Sequence, residues 1–151
     1  MKNKLPFTFL CASFLLFNPS VSFSSECDDM GHRIINRVGG KIVRRTAGAL
    51  TISHVLSEKI SVKCDTLPNL FISDNTSRPS KKYLYLIGQA GSVVIGEEPE
   101  RIVEAASQCN REALSSFNEL AQVNLGRVQM NCRAFTSNTG GNAFTVALKR
   151  P

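Results

Sequence analysis

Tryptophan is missing from all 151 residues, histidine occurs only twice, and aromatic residues make up 7% of the chain. Nucleic-acid binding by base stacking needs aromatic side chains interleaved with basic ones, and no segment offers that arrangement. No C-x-x-C or H-x-x-x-H spacing occurs, which argues against the common zinc frameworks. The G-x-S-x-G turn of serine hydrolases is absent too. Gly39-Gly40 and Gly88-x-x-Gly91 resemble neither a P-loop nor a dinucleotide-binding turn. No apolar run is long enough to keep the mature chain in a bilayer. Internal repeats, low-complexity tracts and Pro/Ser-rich linkers are also lacking. With 42% hydrophobic and 20% charged residues, the composition is that of a single folded domain.

What is present begins at the N-terminus. Lys2 and Lys4 precede an apolar stretch from Leu5 to Phe17, which Pro19 stops. Small and polar residues follow, with Ser22 and Ser24 in the small-x-small positions of a cleavage site. This is the three-part plan of a secretory signal peptide, and it predicts a leader over 1–24 with one domain over 25–151. Cleavage after Ser22 is the alternative. Cys11 follows Leu10 in the middle of the apolar stretch, which is not the setting of a lipidated cysteine. The expected destination is the periplasm or the extracellular space.

Loss of the leader removes Lys2 and Lys4, leaving 16 basic against 12 acidic residues. It also removes Cys11, so that an odd cysteine count becomes even. Cys27, Cys64, Cys109 and Cys132 remain, and four cysteines in an exported chain read as two disulfides. Each adds roughly 2–4 kcal/mol, largely by restricting the unfolded chain. Three connectivities are possible. Periodicity turns Cys64, Cys109 and Cys132 inward on their elements, and a helix crossing a sheet brings Cys109 near a strand cysteine. Cys109–Cys132 is therefore favoured, leaving Cys27–Cys64 to anchor the N-terminal segment.

The segment from Cys27 to Val38 has no clear period and reads as a short helix or a tether, ended by Gly39-Gly40. Lys41–Arg45 and Leu50–His54 read as strands around a turn at Ala47–Gly48. Lys59–Cys64 alternates, with Ile60, Val62 and Cys64 on one side and Ser61 and Lys63 on the other. Leu70–Ser73 follows as a strand, and 74–79 as a loop. Ser80 caps a helix whose stripe is Tyr83, Leu84, Ile87, Gly91 and Val94. Gly88 and Gly91 weaken that helix, so something must pack closely against them. A second helix starts at Pro99, with Glu97, Glu98 and Glu100 at its positive end. Its stripe of Ile102, Ala106, Cys109, Ala113 and Phe117 predicts an end near Leu120.

From Arg127 the chain alternates strictly. Val128, Met130, Cys132 and Ala134 share one face, while Arg127, Gln129, Asn131 and Arg133 share the other. After turn residues at 137–141, Ala143–Lys149 returns with Phe144, Val146 and Leu148 inward. A hairpin with one wet face implies an antiparallel sheet with helices on its other face. The expected class is α+β: an antiparallel sheet with two central helices packed on one face, stapled by disulfides.

Catalytic constellations are sparse. Cys27 lies near His32 in a polar segment, but a chain end lacks the fixed geometry that acid–base chemistry requires. The glutamates from Glu97 to Glu119 fit helix-dipole compensation better than a glycosidase pair. A small secreted hydrolase using His54 or His32 with Asp65 or Asp28 stands as the alternative. No cofactor is implied. Tyr83–Ile87 reads as a buried helix face rather than a membrane-surface one, being poor in flanking cations. Asn75-Thr76-Ser77 is a glycosylation sequon in an exposed loop.

Binding has more support. Arg33, Arg37, Lys41, Arg44 and Arg45 occur without an intervening acidic residue. On a wet sheet face, Lys63, Arg127 and Arg133 would stand with Gln129 and Asn131 between them. Such a face attracts an anionic partner, for example an acidic protein or an envelope component. The competing reading is that strand cations merely keep sheet edges unpaired.

Overall fold

A computed structural model describes residues 23–149, apart from 47, 65–66 and 137–139. The expected leader through residue 22, Ala47 of the first turn, Asp65 and the tip of the last turn lie outside the described residues. Ten elements follow in order: α1 (Phe23–Val38), β1 (Lys41–Thr46), β2 (Ala49–His54), β3 (Ser57–Lys63), β4 (Asn69–Asp74), α2 (Lys81–Ile95), α3 (Pro99–Ser115), β5 (Leu120–Leu125), β6 (Val128–Ala134) and β7 (Asn142–Leu148). The strands form one sheet in the order β1-β2-β3-β4-β7-β6-β5, and every neighbouring pair is antiparallel. The class is α+β, disulfide-stapled, as the periodicities predict.

The chain-order jump from β4 to β7 is the architectural centre. A four-strand meander and a three-strand meander meet there, and α2 and α3 connect them across one face. α2 packs on β4 and β7, and α3 on β5 and β6. α1 packs chiefly on α2, with lesser contact to β2. The covered face carries Leu50, Ile52, Ile60, Val62, Leu70, Ile72, Phe144, Val146, Val128 and Met130, all buried. Each side chain of this kind contributes roughly 1.5–3 kcal/mol when fully removed from water.

Local chemistry sets the helix ends. Ser80 accepts a hydrogen bond from the Tyr83 N–H at 3.2 Å, and Gly96 closes α2 in left-handed backbone with its N–H on the Ser92 carbonyl. Pro99 opens α3, where its missing N–H costs nothing. The close approach expected at the α2 glycines is found at the α2–α3 crossing. A Cβ on Gly88 would stand 2.5 Å from Val103 Cγ2 and 2.8 Å from the Pro99 carbonyl oxygen.

Both favoured disulfides are present. Cys27–Cys64 ties α1 to the end of β3, and Cys109–Cys132 ties α3 to β6 with Cα atoms 6.0 Å apart. Of the two readings of Cys27–Val38, the helix is found, as part of α1, with Met30 and Ile34 buried along with Cys27.

One expectation fails. α3 ends at Ser115, and Phe117, placed on the buried stripe by its spacing, is fully exposed. Ser116 takes an extended conformation, and the Asn118 side chain accepts from the Ser116 hydroxyl and the Leu120 N–H. These local bonds compete with helix continuation and launch β5 instead.

Candidate functional site

Three helices on one side leave the opposite side of the sheet open. The register defines its surface. One row runs Arg44, Thr51, Ser61, Phe71, Thr145, Asn131, Gln122 from β1 to β5. A second runs Ala49, Lys63, Asn69, Ala147, Gln129, Asn124, and a third runs Lys59, Ser73, Ala143, Arg133, Leu120. Lys41 stands beside Ser53 at the β1 edge. Among these described positions five are cationic and none is acidic.

β7 contributes only the short side chains of Ala143, Thr145 and Ala147 to this surface and forms its floor between the charged strands. Lys59 and Lys63 stand two strands to one side of β7, and Arg133 stands one strand to the other. Neighbouring strands lie about 4.8 Å apart, so the cationic rows are roughly 14 Å from each other across a neutral trough. A groove of about 670 Å³ opens where the trough meets β5, lined by Phe71, Ala143, Thr145, Asn131, Arg133, Phe135, Leu120 and Gln122 among others. The Arg133 guanidinium lies 4.3 Å from the centre of the Phe135 ring, and its charge also reaches the Glu119 carboxylate at the rim, whose pKa it helps to lower. Lys59 Nζ stands 6.0 Å from the Phe71 ring centre.

The sequence-derived candidates are therefore only partly brought together. Asn131 and Arg133 share the groove. Gln129 lies in an adjoining depression with Gln122, Asn124 and Lys149. Lys63 faces the same side across the trough, three strands from Gln129. Arg127 lies in the turn before β6, and its Nε is 3.5 Å from Glu97 Oε1, whose other oxygen is 3.7 Å from Arg101 Nη1. Its charge is directed toward Glu97, in the connection between the two central helices. The early basic cluster also divides: Arg45 pairs with Asp28 at 2.8 Å, and Arg37 donates to Gln89 Oε1 at 2.5 Å.

Several residues of the open face escaped the sequence reading. Lys59 alternates in phase with Lys63, a signal present in S-E-K-I-S-V-K. Gln122 and Asn124 alternate with Ala121, Val123 and Leu125, a strand signal that follows directly on the expected helix end near Leu120. Phe71 and Phe135 had no local mark, since their partial exposure follows from the sheet's open side.

Neither histidine lines the groove. His54 Nε2 lies 3.0 Å from the Val38 carbonyl oxygen, and its Nδ1 accepts the Leu56 N–H at 3.1 Å. The ring is thereby held as the Nε2–H tautomer, with both nitrogens committed to backbone. His32 is exposed on α1. Among the described residues no group of three His, Cys, Asp or Glu side chains is arranged to hold a metal ion, and no helix is long and apolar enough to cross a membrane.

No known family model, curated protein or solved structure matches the chain.

Proposed function

We propose that the chain is an exported binding protein whose open sheet face holds a linear anionic partner along β7. The carrying observation is the charge segregation of that face: Lys41, Arg44, Lys59, Lys63 and Arg133 occupy it with no carboxylate among its described strand positions. Positive potential summed over such a surface concentrates anions and orients them before contact. The short side chains of β7 let a ligand approach the sheet. Lys59 and Lys63 then flank one side and Arg133 the other, while Asn131, Gln129 and Gln122 supply amides that both donate and accept. Arg133, poised over Phe135, presents a planar fork suited to a carboxylate or phosphate. Export is supported by the leader-like N-terminus and by two disulfides, which persist in oxidising compartments.

The test is capture of the oxidised protein on immobilised polyglutamate and on alginate, with neutral dextran as reference. Binding to the polyanions, declining with added salt, is expected. Lys63→Glu/Arg133→Glu should weaken it about tenfold or more, whereas Arg111→Glu on the helix side should not. Equal capture by the folded double variant removes this face from the function.

A further inference from the structure

We infer that two copies of the chain associate edge to edge through β5, antiparallel, so that the seven-stranded sheets join into one. The two edges of the sheet differ in kind. β1 carries Lys41, Arg44 and Arg45, and its register breaks between Ile42 and Arg44. Charges and bulges of this sort stop another strand from adding. β5 has neither device. Its sequence L-A-Q-V-N-L has no charge and no proline, and it pairs with β6 over six successive residues without a break. Among the described residues no strand pairs with the backbone N–H and C=O groups along its outer side.

The strand is complementary to itself. Ala121, Val123 and Leu125 stand opposite Cys132, Met130 and Val128, all buried, so they belong to the helix-covered side. Ala121 and Leu125 are only partly buried, although they pack against the core. A two-fold axis through Val123 sets Ala121 against Leu125 of the second copy and Val123 against its counterpart, all apolar. On the open side, Gln122 meets Asn124 of the second copy, amide to amide, twice. A one-residue slip would put apolar side chains against the amide side. A two-residue slip one way would set the half-exposed Leu120 against Asn124, and the other way would set Gln122 against Gly126 beyond the strand end, losing both Gln–Asn pairs. The self-pairing with like chemistry on both faces makes a second copy the fitting occupant. This inference rests on the edge and is independent of what the open face binds.

Light scattering coupled to size-exclusion chromatography of the oxidised chain tests it. Twice the single-chain mass is expected. Gln122 and Asn124 are exposed, so substitution there leaves the core intact. Gln122→Lys/Asn124→Lys places lysine opposite lysine in both open-side pairs and should weaken association at least about tenfold. Gln122→Lys/Asn124→Glu places opposite charges in the same pairs and should restore it. A monomeric wild type at the highest soluble concentration overturns the inference, as does a dimer indifferent to the paired lysines. A monomer whose β5 amides gain exchange protection only with another protein present assigns the edge to a foreign strand, and also overturns it.

Discussion

Glu119, in left-handed backbone with φ 56°, accepts hydrogen bonds on its carboxylate from both the N–H and the hydroxyl of Thr136. The Glu119 carbonyl in turn receives the Ala134 N–H at 3.0 Å. The start of β5 is thus fastened to the chain leaving β6, and a backbone conformation uncommon outside glycine is held by its surroundings.

The hydroxyl of Thr136, then its N–H, hold the Glu119 carboxyl below its ordinary value of 4.5. A carboxyl depressed on folding adds stability above its unfolded pKa, and that contribution is lost as pH falls through the folded value. Wild type should therefore exceed Glu119→Gln in melting temperature near neutrality. The gap should close as the pH drops below about 4, where the carboxyl is protonated. Thermal melts across that range check this, and a constant gap would contradict it.

Gly88→Ala should destabilise the protein by about 1–3 kcal/mol despite alanine's better helix propensity. Its Cβ would meet the Pro99 carbonyl oxygen at 2.8 Å, and backbone cannot yield as a side chain can. Gly91→Ala meets only side-chain atoms of Ile102 and Val146 at 3.2–3.4 Å, and should cost less. Urea denaturation of the two variants separates the outcomes.

The two disulfides should differ in reactivity. Cys109 and Cys132 are both buried between α3 and β6, whereas Cys64 is half-exposed. Mild reductant followed by alkylation should label Cys27 and Cys64 first, with the other pair protected until the fold opens. Replacing Cys109 and Cys132 together by alanine should lower stability by about 2–5 kcal/mol. Peptide mapping and calorimetry read the two effects.

Tyr83 is buried, and its hydroxyl finds no hydrogen-bond partner among the described residues. Burial raises its pKa, and the charge of Asp74 raises it further. The phenol should ionise only as the protein unfolds in alkali. Tyr83→Phe keeps the ring against Phe144, 6.2 Å away between centroids, and removes the unpaired polar atom. It should be neutral or stabilising by about 1 kcal/mol, measured by denaturant melts.

The recoverable parts of the fold came from segments whose periods are uninterrupted. R-V-Q-M-N-C-R-A alternates without exception, and β6 is found with the expected faces. Ser80, Gly96 and Pro99 mark helix ends by chemistry that acts within a few residues. The error at Phe117 has the same origin: its spacing from Ala113 continues the helical stripe, while the Asn118 side chain that ends the helix competes through bonds a stripe does not register. Likewise Arg127 keeps the phase of Gln129, but its place in a turn lets it reach Glu97.

Side-chain direction repeats every two residues in a strand and every 3.6 in a helix, so the order of residues alone was sufficient to tell apolar sides from polar ones and to point three cysteines inward. It also carried the leader-like pattern and the excess of basic residues. Neighbourhood is another matter. That β4 pairs with β7, that β5 ends the strand order, and that Lys63 and Arg133 flank one trough depend on contacts between distant parts of the chain. No local period encodes such contacts; packing two helices over one face of the sheet decides them, because burying that face leaves the other one open.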